Sequence, residues 1–327
     1  MTGELNENSL LAHAAKAGCS VSADQLKRWR LAGLVQRPRQ GHPSGIRGSQ
    51  SWYPPEALEQ LITVARLHQE MRLLSHLLVA LWWDGRYVDM DALRAELVRW
   101  LDRLSAEAQA LRDAHPDPHE AADELVRSAP LRNLSPLLSL MVRRLPHGRR
   151  DLREVLWLFG MVGFGLNYEP EPDNEHDGAP LLGTLLAKAT GIDRAQRDRL
   201  FDGEPWLPPD VTALETVREL AGAGAFDLTD FARPVREACD ADLQQARDDA
   251  HAFERLAVIG EGLQRVLGND VAGIGSWTTM VARNPLGRAA MVRMMLVLRR
   301  VAGDDAVEQV RAVVDDSYPQ FSALAAR

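Results

Sequence analysis

A chain of 327 residues, 46% of them hydrophobic and 6% aromatic, holds enough apolar material for a full core spread over two or three domains. A formal charge of −8 excludes a protein that coats nucleic acid along its whole length. Two distant cysteines, Cys19 and Cys239, exclude a disulfide framework or a Cys-pair zinc site and are expected to be buried thiols in a reducing compartment.

The charge is unevenly placed. Residues 1–55 carry seven Lys/Arg against three Asp/Glu, a net of +4, while the remainder carries 31 against 43, a net of −12. A basic N-terminal module on an acidic body fits local contact with nucleic acid. Residues 1–10 are acidic and lack the apolar centre of a signal peptide. The longest apolar run, residues 155–166, is about half of what a bilayer span requires. The expectation is a cytoplasmic, nucleoid-associated protein with no membrane partner.

Residues 10–17 are Ala-rich and helical, and Gly18-Cys19-Ser20 turns the chain into a second helix. Ser22 is a good N-cap, with Gln25 three residues on as the partner of a capping box. Leu26 and Trp29 or Arg30 lie three to four apart and form an inward seam, and Gly33 stops the helix. Gln25, Arg28 and Arg30 are candidates for reading base edges, with Lys27, Arg37, Arg39 and Arg47 on phosphates. Residues 37–51 have loop composition, with a two-stranded wing at the edges that includes Arg47 and Trp52-Tyr53. Pro54-Pro55 presets a third helix over 56–68. A fourth spans about 72–83 and ends at Asp84-Gly85.

Ser22-Ala-Asp-Gln-Leu-Lys-Arg-Trp-Arg-Leu-Ala-Gly-Leu-Val35, the basic loop, Tyr53 and the following Glu56-Ala-Leu-Glu-Gln-Leu61 occur in an order that resembles the DNA-binding domain of the MerR family of bacterial transcription regulators. The resemblance covers residues 9–90. It places Lys27, Arg28 and Trp29 on the family's basic–aromatic–aromatic DNA-contacting run, and Arg47 and Tyr53 in or beside the wing. Ser22 opens the same helix. Arg28 stands where the family has an aromatic, and the wing loop is several residues longer than is usual. The resemblance also implies distortion of promoter DNA between polymerase contact elements, with RNA polymerase as a further partner.

Residues 90–114 form a long helix with Leu93, Leu97, Trp100, Leu104, Ala108 and Leu111 near an a/d seam. The resemblance makes this a dimerisation helix, and hence the protein a homodimer. A helix packed on its own core has the same pattern. His115-Pro-Asp-Pro-His119 is a hinge-like break and a weak metal candidate, because the prolines spoil the alignment of its two histidines. Beyond it the pattern is helical throughout, at about 119–128, 134–144, 149–166, 179–190, 193–201, 208–222, 229–256, 258–267, 275–283, 286–302 and 304–315. An acidic linker occupies 167–179.

Met141-Val-Arg-Arg-Leu-Pro-His-Gly-Arg149 matches Met280-Val-Ala-Arg-Asn-Pro-Leu-Gly-Arg288. Arg112-Asp-Ala-His115 echoes Asp248-Asp-Ala-His251, and Trp52-Tyr-Pro-Pro55 echoes Trp206-Leu-Pro-Pro209. The matches suggest a degenerate tandem duplication, with a wingless helix-turn-helix in the second copy. The apolar helices carrying Trp157, Phe159, Phe164, Trp277, Met280, Met291, Met294 and Met295 are either core or the lining of a pocket for a small organic effector. No nucleophilic triad, dinucleotide fingerprint or metal-ligand spacing appears, so the chain reads as a non-enzyme without cofactors.

The expectation is an all-α fold with a small β wing. A winged helix-turn-helix would occupy residues 1–88 and a connecting helix 89–114. A first repeat copy would occupy 115–166, the acidic linker 167–179, and a helical C-terminal domain 180–327. The expected function is sequence-specific binding of double-stranded DNA in transcription regulation. The alternatives are a DNA-architectural or recombination accessory factor and a protein-interaction adaptor.

Overall fold

The computed structural model describes residues 5–41, 50–117, 120, 121, 124, 230–266 and 285–325. They are mostly helical, with one small sheet, and fall into two compact units, residues 1–98 and 99–327. The division lies inside the long helix.

In the first unit, strand β1 (Leu5–Asn6) leads into helix α1 (Glu7–Lys16), whose N-cap Asn6 accepts the Ser9 N–H at 2.9 Å. Gly18, at φ +83°, closes α1: its N–H donates to Ala15 O, and the Cys19 N–H donates to Ala14 O. That pair of bonds is a Schellman motif, and it satisfies carbonyls that the helix end would otherwise orphan. Helix α2 (Ala23–Leu31) carries the expected capping box, with Ser22 Oγ accepting from Gln25 N at 3.1 Å and Gln25 Oε1 accepting from Ser22 N at 3.0 Å. It ends in the same motif at Gly33, through Gly33 N to Arg30 O and Leu34 N to Trp29 O.

Strands β2 (Arg39–Gly41) and β3 (Gln50–Tyr53) follow, and β3 lies between β1 and β2 with both pairings antiparallel. The register sets Leu5 opposite Tyr53 and Arg39 opposite Trp52. Side chains alternate along a strand, so Tyr53 and Trp52 point to opposite faces. Tyr53 is fully buried, and Trp52 with its neighbour Arg39 lies on the outer face.

Helices α3 (Glu56–Glu70) and α4 (Leu74–Trp83) and the start of α5 (Met90–Ala114) complete this unit. In α4 every residue from Leu77 to Trp83 is buried, as expected for a helix that is apolar all round. Two polar devices then fix α2 against the later helices. Gln60, buried on α3, donates from Nε2 to the carbonyls of Leu34 and Tyr87, each at 2.9 Å. Asp89 donates its N–H to Gly33 O at 2.9 Å, and its Oδ1 accepts the Ala92 N–H at 3.1 Å, which caps α5. Gly33 is required at this contact. Its φ is +76°, and an added Cβ would stand 2.8 Å from Asp89 Cβ and 2.9 Å from Ala92 Cβ.

Burial holds His76 of α4 below the ordinary 6.5, against an opposing pull from Glu96. The unfolded chain therefore binds this proton at a higher pH than the folded chain. The expected stability falls as pH drops through about 6.5 and levels off once the folded group also protonates. Urea midpoints at about pH 7.5 and about pH 5.5 should differ less in His76→Gln than in the wild type; an equal difference would exclude His76 as a source.

Leu93 and Leu97 are fully buried within the chain, and Trp100 is nearly so. The dimer seam expected on α5 is thus occupied by its own core in its first turns, because an a/d stripe and a core-facing stripe share one spacing. Leu104 is half-buried, and Leu111 packs on Ala108 and Ala121.

The second unit contains the C-terminal part of α5 with helices α6 (Arg233–Glu237), α7 (Asp240–Val266), α8 (Pro285–Ala302) and α9 (Asp304–Ala325). Ser105 Oγ accepts the Phe231 N–H at 2.9 Å, and Arg236 pairs with Asp102 and Asp230. Buried Arg293 of α8 donates to Phe231 O at 2.7 Å and lies 3.8 Å over the Phe231 ring. Phe231 thus gathers α5, the turn before α6, and α8.

Pairs between α7 and α9 ascend together, as Gln245–Glu308, Ala252–Val314 and Arg255–Asp315, so these two helices run parallel. The helix expected over 229–256 breaks at Ala238-Cys239, where Ala238 is extended and Asp242 accepts the Cys239 N–H. The break expected near residue 257 is absent, as α7 continues to Val266. Cys19 is buried as expected, but Cys239 is exposed, because it stands at this break rather than in a core.

The acidic linker, Arg47, and the motif at 141–149 lie outside the described residues, as does 280–284 of its match. One echo can be compared. Asp113 is exposed in the last turn of α5, whereas Asp249 is buried in mid-α7, so this pair does not share an environment.

Candidate nucleic-acid interface

The geometry of α2 divides the expected contact residues into those that point out and those that hold the helix. Trp29 does not reach the surface. It is 3% exposed, with its ring edge-on to His68 at 5.4 Å between centroids. Successive helix residues are about 100° apart, and the stripe through Leu26 and Trp29 takes the inner face. Tyr53 is likewise an internal anchor, whose hydroxyl accepts from Arg30 Nη1 at 3.1 Å. Burial raises the Tyr53 phenol above its ordinary 10.0, although the Arg30 hydrogen bond and charge pull it down. Tyr53 therefore remains a neutral phenol that fastens α2 to the central strand.

Ser22 is exposed, but its oxygen is committed to the cap. Gln25 is half-buried with its carbonyl on the Ser22 N–H, so it offers chiefly its NH2 donors to a base edge. Arg30 is partly buried and tied to Tyr53. Arg37 is 77% exposed at its side chain and forms an ion pair with Asp89 at 3.2 Å, the residue that also caps α5. At that exposure the pair is weak, and a stronger anion could displace it.

Asp24, Lys27, Arg28 and Leu31 remain on the outer face of α2, all exposed and at positions i, i+3, i+4 and i+7. Leu31 is 74% exposed, the highest value among the exposed large hydrophobics of the described residues. Neither Asp24 nor Leu31 was expected at the site. Their spacing from Lys27 and Arg28 was the available signal, but a leucine in a helix is ordinarily read as core. On a DNA edge an aspartate can accept from cytosine N4, and an alkyl group can meet a thymine methyl. Arg39 and Gln40 on β2 are also exposed.

Comparison of the chain with protein-family models, curated proteins and solved structures finds no match.

Among the described residues no group of three or more His, Cys, Asp or Glu is placed to hold a metal ion. His115 and Glu120 stand 3.9 Å apart near the end of α5, and His119 lies outside the described residues. Among the described residues, no helix is long and apolar enough to cross a membrane.

Proposed function

We propose that residues 1–98 form a MerR-like winged helix-turn-helix that reads double-stranded DNA through the outer face of α2, and that the chain regulates transcription. One observation carries this reading. A short helix held at both ends and along its inner face presents Lys27, Arg28 and Leu31 outward, with exposed Arg39 on the strand bonded to β3. Such a helix costs little further ordering when it enters a groove, and its cations match phosphates and guanine edges.

The test is selection of bound duplexes from random DNA with the full chain, followed by salt titration of the best site. One sequence class should be enriched. Lys27→Ala should weaken every duplex and reduce the salt slope by about 1. Arg28→Ala should instead cost about 1–3 kcal/mol on the preferred site and relax the choice of base at one position. An unenriched pool would overturn the DNA reading.

The exposed Leu31 supports a second reading, a protein-interaction adaptor that uses the same face. Binding by that route would be nearly insensitive to salt and would be lost in Leu31→Ser while surviving Lys27→Ala. As for assembly, a homodimer would need a surface other than Leu93 and Leu97, which the chain's own core occupies.

A further inference from the structure

The second unit contains a feature that the DNA-reading face does not use. Helices α7, α8 and α9 form an open-sided cavity of about 180 Å³ walled by Phe253, Met295, Leu298, Val307 and Val314. Val310, also in the wall, is 58% exposed, so the cavity reaches the surface. A comparably apolar cavity of about 150 Å³ suffices to bind benzene. The size therefore suits one aromatic ring or a short branched alkyl chain.

The polar members of the lining are Asp249 and Arg311, and they are not equivalent. Asp249 is fully engaged, since Arg299 donates to both of its oxygens from Nε and Nη2. Arg299 also holds Asp304 and Glu308, which completes its own fork. Among the described residues Arg311 has one close partner, Asp249, at 3.9 Å, beyond hydrogen-bonding distance. A guanidinium carries five N–H donors and no acceptor. An apolar wall with underused cationic donors at its edge is complementary to a hydrophobic anion, and a planar carboxylate matches the guanidinium fork.

We infer that the α7–α8–α9 cavity is a binding site for small hydrophobic monocarboxylates, with Arg311 receiving the carboxylate and the ring or alkyl chain lying between Phe253, Met295 and Val314. As the effector site of a regulator, it rests on the DNA-binding reading above. As a ligand site, it stands apart from that reading.

The test uses the full chain without DNA, so its failure and the failure of DNA binding are separate results. Benzoate, benzamide and benzylamine present the same ring with a negative, neutral and positive head, and titration calorimetry measures each. Benzoate should bind at least tenfold more tightly than benzamide, and benzylamine more weakly still. Arg311→Gln should bring benzoate down to the level of benzamide while leaving benzamide unchanged. Ala306→Phe, from an exposed lining position, should remove binding of both without lowering the melting temperature. Benzylamine binding as tightly as benzoate, benzoate affinity that survives Arg311→Gln, or no binding at millimolar benzoate would each overturn the assignment.

Discussion

Gly33→Ala is expected to destabilise residues 1–98 by about 2–5 kcal/mol, and three other glycines provide the control for that figure. Gly18, Gly85 and Gly303 share its left-handed backbone, at φ +83°, +72° and +82° against +76°. At none of the three does any atom beyond the adjoining backbone lie within 4 Å of where a Cβ would stand. An alanine there costs only the backbone term, about 1–2 kcal/mol. At Gly33 the same term is joined by two contacts under 3.0 Å, to Asp89 Cβ and Ala92 Cβ. Neither atom is the far end of a flexible side chain, so the start of α5 must move, at an overpacking cost of about 1–3 kcal/mol.

Denaturant unfolding of Gly18→Ala, Gly85→Ala and Gly33→Ala separates the two terms. Gly33→Ala should exceed the others by at least about 1 kcal/mol. Equal losses would mean that the α2–α5 junction yields freely. Because the Asp89 N–H donates to Gly33 O, the variant should also loosen the end of α2. Under the proposed DNA-reading role it should then weaken duplex binding beyond its effect on folding.

Local signals in the sequence were legible, and distant partnerships were not. The Ser22–Gln25 capping box spans three residues, Gly33 and Gly85 are compelled by left-handed turns, and α5 runs over the expected 90–114. Strand β1 leaves no signature in the sequence, because two residues are too few to show alternation and its partners Trp52 and Tyr53 lie far along the chain. The choice between Trp29 and Arg30 as the inward residue could not be made from spacing. Adjacent positions on a helix differ by only about 100°, and it is contact with His68 and Tyr53 that decides. Leu93 and Leu97 failed as a dimer seam for a related reason: spacing reports that a stripe is covered, not by what. The cluster around Asp249 was illegible in principle, since its main partner is 50 residues away.

That cluster carries the other large expected effect. Asp249→Ala should destabilise the second unit by about 3–5 kcal/mol, or about 6–20 °C in melting temperature. Asp249 is 2% exposed at its side chain and Arg299 13% exposed, and the two form a bidentate pair linking α7 to α8. Hydrogen bonding to Asp249, more than to Glu308 or Asp304, raises the Arg299 pKa still further above its ordinary value. That support is lost with the aspartate, but a guanidinium is intrinsically so basic that Arg299 keeps its charge without it. A fixed charge left without its main partner in a nearly closed site has no inexpensive refuge.

The exposed arms of the same cluster supply the contrast. Asp304 and Glu308 are 78% and 52% exposed at their side chains, so Asp304→Ala and Glu308→Ala should each cost about 1 kcal/mol or less. The decisive variant is the double replacement Asp249→Leu with Arg299→Met. Removal of both charges lifts the penalty of leaving one alone, and an apolar pair of similar volume often matches or exceeds a buried ion pair. The double variant should therefore be at least as stable as either single one, with a coupling of about 2–3 kcal/mol in a double-mutant cycle. Strict additivity would show that the pair contributes little beyond its separate contacts.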